Sequence, residues 1–194
     1  MIKRLLLAAV LAFGLSTPAY ALSGLYLELQ AGGALGGDTA LEFSDVGGSD
    51  ESFNEYPLIA GAAGINFLGF RSELELTYRN IDSDFQGGNA MFNLWYELPF
   101  GIAGLRPFAG GGIGAGYYEV TGTFDGIEVD DDVATFAYNL GAGVAVDIVR
   151  NIAFTAGYRF TGQVPGDLNV GLDRNVGVKL DSHELRFGLR FTLG

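Results

Sequence analysis

The chain has 194 residues, with 11 Lys and Arg against 23 Asp and Glu, a formal net charge of −12 and no cysteine. That charge argues against a nucleic-acid partner, since phosphate binding needs clustered Lys and Arg. The missing thiols exclude disulfides and thiolate chemistry, and 31 glycines without a G-x-y period exclude collagen.

Lys3 and Arg4, an apolar run over 5–15 and the small pair Ala19 and Ala21 predict a secretory signal over residues 1–21, cleaved after Ala21. The run is too short for a spanning helix, which needs roughly 20 apolar residues. Removing Lys3 and Arg4 takes the formal charge from −12 to −14. What remains, 22–194, is read as one domain.

Eight alternating stretches follow. In the first, Leu25, Leu27, Leu29 and Ala31 alternate with Tyr26, Glu28, Gln30 and Gly32. Over 57–67, Ile59, Ala63, Ile65 and Phe67 oppose Ala60, Ala62, Gly64 and Asn66. The third sets Leu74, Leu76 and Tyr78 against Glu73, Glu75, Thr77 and Arg79; the fourth sets Phe92, Leu94, Tyr96 and Leu98 against Met91, Asn93, Trp95 and Glu97. Ile113, Ala115 and Tyr117 alternate with Gly110, Gly112, Gly114 and Gly116 in the fifth. The sixth places Phe136, Tyr138, Leu140, Ala142, Val144 and Val146 opposite Asn139, Gly141, Gly143 and Asp147. In the seventh, Ile152, Phe154, Ala156, Tyr158 and Phe160 oppose Thr155, Gly157, Arg159 and Thr161. The eighth, 182–193, has Leu185, Phe187, Leu189, Phe191 and Leu193 on one parity, with Glu184, Arg186, Gly188 and Arg190 on the other. Side chains of a strand point alternately to opposite faces, so each stretch is a strand with one greasy face and one polar or small face.

Connections 68–70, 99–104 and 148–151 are short, whereas 34–56, 80–88, 119–133 and 162–181 are longer and polar. Short turns on one side and long loops on the other predict an all-β, eight-stranded antiparallel up-and-down transmembrane barrel, with the long loops outside the cell. Most of the acids lie in those loops, against Arg174 and Lys179 alone among the bases. On the polar parity, Glu28, Glu73, Glu75, Glu97, Asp147 and Glu184 stand against Arg71, Arg79, Arg159, Arg186 and Arg190. That is close to neutral, as a shared interior requires, because an unpaired buried charge is very costly. A soluble ligand barrel would turn the greasy face inward instead. Large aromatics on nearly every strand are too bulky for the lumen of eight strands, while a Gly- and Ala-rich face suits a narrow lumen crossed by a few long side chains.

The run Arg186, Gly188, Phe191, Leu193 resembles the closing-strand signal of bacterial outer-membrane barrels, except that the chain continues to Gly194 rather than ending on an aromatic residue. Segments 106–116, 137–147, 156–160 and 183–191 extend the likeness over 22–194. The chain resembles the small eight-stranded outer-membrane family that includes the transmembrane domain of the major outer-membrane protein A, the opacity proteins and related surface antigens. The resemblance implies an outer-membrane location, recognition of Arg186, Gly188, Phe191 and Leu193 by the barrel assembly machinery, and little about activity.

His183 lies between Ser182 and Glu184, but a strand turns those two neighbours one way and the histidine the other. The three therefore make no relay, and no second His or Cys accompanies His183 for a metal. The acidic run 125–132 lacks the D-x-D-x-D-G spacing of a calcium loop. The glycines of 110–116 have no following Lys-Ser/Thr and open no helix, so they are no phosphate loop. Neither a cofactor nor an enzymatic activity is expected. The candidate site is the lumen set Glu28, Glu73, Glu75, Arg79, Glu97, Arg159, Glu184, Arg186 and Arg190, read either as a plug or as a gate around a narrow water path. The partners expected are outer-membrane lipid and lipopolysaccharide, the assembly machinery, and divalent cations bridging acidic loops to lipid phosphates. The predicted role is structural or surface-interactive, with a narrow passive channel as the alternative.

Overall fold

The structure, a computed structural model, describes residues 24–35, 37–43, 49–53, 55–82, 85–98, 104–124, 127–164, 167–169 and 175–193. The expected signal over 1–21, and the side chains of the acidic run 125–132 and of most of the other loop acids, lie outside what the structure describes.

Among the described residues eleven strands run in chain order: β1 (Leu25–Ala34), β2 (Gly37–Phe43), β3 (Ser49–Phe53), β4 (Tyr56–Phe67), β5 (Phe70–Asp82), β6 (Phe85–Glu97), β7 (Leu105–Phe124), β8 (Ile127–Val149), β9 (Ile152–Val164), β10 (Asp167–Asn169) and β11 (Asn175–Leu193). Eight of them form the barrel, in the order β1-β4-β5-β6-β7-β8-β9-β11, every pair antiparallel. The sheet closes where β1 pairs with β11, from Leu25 opposite Leu193 to Ala34 opposite Glu184. Closure removes the unpaired edges that an open sheet would present.

The parities sort as inside and outside. Leu29 is 65% exposed and Leu140 63%, whereas Glu75 and Arg79 are each 1% exposed. In water that distribution would be inverted; in lipid the greasy wall faces hydrocarbon and the charges share an enclosed lumen.

Two connections tighten to hairpin turns. Leu68 and Gly69 both take positive φ, 52° and 84°, and carry the chain from Phe67 to its partner Phe70. Positive φ at both central residues gives the turn the twist that antiparallel strands need. Arg150 and Asn151 join β8 to β9, with a register shift between Asp147 and Val149.

At the other end the structure departs from the loop reading. Pairing between β7 and β8 runs on to Phe124 opposite Ile127, and β5 and β6 pair up to Asp82 and Phe85. Within 34–56, β2 and β3 form a hairpin whose β2 pairs with the outer part of β11, and β10 pairs with β11 as well. Polarity marks where the lipid wall stops, but it does not stop a backbone ladder whose neighbours remain in register.

Candidate functional site: a charged lumen

The lumen charges fall into two groups stacked along the barrel axis. Toward the short-turn end, the Glu28 carboxylate accepts from Arg190 Nε at 2.8 Å, Thr155 Oγ1 at 2.8 Å and Gln30 Nε2 at 2.9 Å, and it lies 3.5 Å from Arg71 Nη1. Glu97 accepts from Arg190 Nη1 at 2.9 Å and Arg106 Nε at 2.7 Å, and stands 3.4 Å from Arg71 Nε. Arg106 also pairs with Asp147. Glu28, Glu97 and Asp147 thus face Arg71, Arg106 and Arg190, a neutral set.

Farther out, Arg159 Nη1 donates to Glu75 Oε2 at 2.6 Å and Arg186 Nη1 donates to Glu75 Oε1 at 2.9 Å. Arg186 Nε also reaches Glu184 Oε2 at 2.8 Å, and Arg79 grips Glu184 Oε1 through Nε at 2.9 Å and Nη2 at 2.7 Å. Ser182 Oγ adds a donor to Glu184 at 3.0 Å. Glu73 completes this half with neutral donors: Trp95 Nε1 at 2.8 Å, Asn93 Nδ2 at 3.2 Å and the Tyr26 hydroxyl. Glu73, Glu75 and Glu184 then balance Arg79, Arg159 and Arg186, a second neutral set.

Gln30 ties the halves together, donating to Glu28 while its carbonyl accepts from Arg186 Nη1 at 3.2 Å. Aromatic rings cover the guanidinium faces. Arg159 Cζ lies 4.8 Å from the Trp95 ring, and Arg71 Cζ lies 4.9 Å from Phe108. Buried charges at this density persist only when they are paired.

The glycines of β7 and β8 make the room. A Cβ at Gly110 would fall 2.2 Å from Leu94 O and 2.7 Å from Trp95 Cα, and one at Gly141 would press on the Trp95 ring at 3.4 Å. The indole crosses the lumen against this bare wall. Between the two charge sets a cavity of about 20 Å³ remains, bordered by Glu28, Arg71, Glu73, Trp95, Arg159 and Arg186. That is space for about one water.

All nine lumen residues singled out in the sequence are 6% exposed or less. Three charged participants lie outside that set: Arg71, Arg106 and Asp147. Arg71 and Asp147 stood on the polar parity but were not carried into the site. Arg106 lies just past the 99–104 connection, outside the stretch 110–117 over which the parity of the fifth strand is read. Extending its parity back through Phe108 and across Pro107 would have found it, turning six acids against five arginines into six against six.

His183 is exposed on the opposite face from Ser182 and Glu184, stacked against Tyr158 and tilted against Phe160, with its Nδ1 at the Tyr158 hydroxyl. Arg186 and Gly188 of the closing strand point inward, and Leu193 is on the outer parity. Among the described residues no group of His, Cys, Asp and Glu could hold a metal ion.

A family model described as the outer membrane protein beta-barrel domain matches residues 5–191. The chain belongs to that family. Its members are barrels of the outer membrane, and the inside-out lumen above is this family's architecture in this sequence. Neisserial surface protein A, in its crystal structure, superposes with a TM-score of 0.63 at 19% identity, covering 88% of this chain and 98% of that one. Outer membrane protein H of Pseudomonas aeruginosa, solved in micelles, gives a TM-score of 0.50 at 20% identity, covering 88% and 100%. At these identities the likeness is one of fold. No curated protein matches the chain.

Proposed function

We propose that this protein is a sealed, non-enzymatic outer-membrane barrel whose role is structural or surface-interactive, presenting its acidic outer segments outside the cell. The observation that carries the reading is the filling of the lumen. Two neutral sets of three carboxylates and three arginines cross it, leaving between them about 20 Å³. Arg79 and Glu184, or Arg159 and Glu75, come from strands far apart around the barrel, so each pair spans the lumen rather than lining it.

The natural partners are the lipid and lipopolysaccharide around the greasy wall, with divalent cations bridging acids of the outer segments to lipid phosphates. The barrel assembly machinery would read Arg186, Gly188, Phe191 and Leu193, after cleavage of a signal near Ala21. The Leu and Phe side chains directed outward along β11 support the first of these.

A narrow passive channel is the second reading, favoured by a chamber of about 420 Å³ at the short-turn end and by the bare glycine wall above it. Planar-bilayer recording of the purified protein separates the two. Rare, small openings or none are expected; steady cation-selective current would promote the channel.

A further inference from the structure

The chamber of about 420 Å³ is walled in part by the inner charge set itself, Glu97 included, and opens at the short-turn end, which faces the periplasm. Its wall includes Arg106, Arg150, Asn151, Arg190 and Thr192, with Asp147 at the rim. The neighbouring set of Glu28, Glu97 and Asp147 with Arg71, Arg106 and Arg190 is neutral by itself. Arg150 adds one positive charge and is exposed; among the described residues no acid is paired with it. The chain as a whole is strongly acidic, so this end is electrostatically opposite to the rest.

A buried group points the same way. Arg190 is 4% exposed, with Nε engaged by Glu28 and Nη1 by Glu97, while its Nη2 has no hydrogen-bond partner. A buried guanidinium donor left unmatched costs free energy; Nη2 is closed to solvent here, and a turn of the Arg190 side chain, which lines the chamber wall, would bring it to an acceptor there. The Tyr26 ring, 5.3 Å from Arg190 Cζ, packs against the guanidinium, and the rim is tied by backbone bonds from Thr192 N to Asn151 O at 2.9 Å and from Glu97 N to Gly69 O at 2.7 Å. The chamber wall is therefore held in place, with Arg150 its one unbalanced cation among the described residues.

We propose that this periplasmic chamber is a binding site for a small oxyanion, a phosphate group held between the guanidinium groups of Arg150, Arg106 and Arg190. A guanidinium fork matches tetrahedral and planar oxyanions through paired N–H donors. Asp147 occupies Arg106 and is 53% exposed, so it competes with the ligand and can swing aside. Free phosphate and a phospholipid headgroup from the periplasmic leaflet offer the same chemistry.

The test is a nitrogen-15 NMR titration of the refolded barrel in phosphatidylcholine nanodiscs, with inorganic phosphate added at constant ionic strength against chloride. Saturable shifts confined to Arg106, Arg150, Asn151, Arg190 and Thr192 are expected. Arg150→Gln should weaken the apparent affinity about fivefold, the scale of one exposed ion pair. Asp147→Asn should tighten it by a similar factor, an effect that a purely structural Asp147 would not have. A second arm uses nanodiscs containing phosphatidylglycerol: the same shifts without added phosphate identify a headgroup as the source, and their absence there identifies the free ion. Either result supports the site. Shifts that chloride reproduces, or an Arg150→Gln titration identical to that of the unaltered protein, overturn it.

Discussion

Glu28 stands opposite Arg190 in the register of β1 and β11, and its carboxylate accepts the Arg190 Nε–H at 2.8 Å. The pair sits on the seam where the first and last barrel strands meet, so an ion pair reinforces the backbone ladder that closes the sheet. Both partners are buried, and loss of Glu28 leaves Arg190 and Arg71 to share the single carboxylate of Glu97 with Arg106. Glu28→Ala is expected to cost ~3–5 kcal/mol, while Glu55→Ala, at an exposed position, should cost little. Urea titrations of the two variants in lipid vesicles check this; equal midpoints would mean that the seam pair does not hold the barrel shut.

Lipid exposure of the greasy parity makes a second prediction. Leu189 lies ~10 Å in from the short-turn end, flanked by Leu29 on β1 and Phe154 on β9, all three outward-facing. Leu189→Arg should cost ~2–4 kcal/mol. Thr155→Ser keeps the hydroxyl that donates to Glu28 and should be nearly neutral. Refolding titrations in bilayers measure both, and a harmless Leu189→Arg would contradict the lipid-facing assignment.

Arg186 and Arg190 each bridge two carboxylates across the lumen: Glu75 and Glu184 for the first, Glu28 and Glu97 for the second. Their joint replacement by Ala should open a water path, and single-channel conductance should rise well above that of the unaltered protein. A double variant that folds, as judged by its heat-modifiable gel mobility, yet stays silent would place the block elsewhere, with Trp95 against Gly110 and Gly141 the next obstruction to remove.

The β4–β5 turn carries a leucine where the backbone is left-handed, φ 52° at Leu68. Such a conformation costs an ordinary side chain ~1–2 kcal/mol, and Asn bears it more easily. Leu68 is 79% exposed, so little packing is forfeited. Leu68→Asn should stabilise the refolded barrel by ~1 kcal/mol. An unchanged or lower urea midpoint would show that the leucine's contact with the membrane interface outweighs its backbone strain.

Much of the fold was legible because a strand's period of two writes the two faces directly into the chain. Leu185, Phe187 and Leu189 against Glu184, Arg186 and Arg190 define an outer and an inner wall without any knowledge of neighbours. The alternation of short and long connections then leaves an up-and-down barrel as the economical topology. The outer ends were less legible. Polar composition at 119–133 reads as loop, but strand pairing is a property of two backbones in register, and the β7–β8 ladder continues to Phe124 and Ile127.

For the lumen, parity alone put Glu28, Glu73, Glu75, Glu97 and Glu184 on the same wall as Arg79, Arg159, Arg186 and Arg190. Which carboxylate meets which guanidinium was decided only by shear and closure, which set the height of each strand against the others. Arg79 meets Glu184 at a separation of 105 residues, and Arg159 meets Glu75 across 84. No local pattern encodes such distances. The division into two neutral sets and the chamber beneath Arg190 exist only once the sheet has closed on itself, because Arg190 reaches Glu97, and Arg71 reaches Glu28, from strands that never pair.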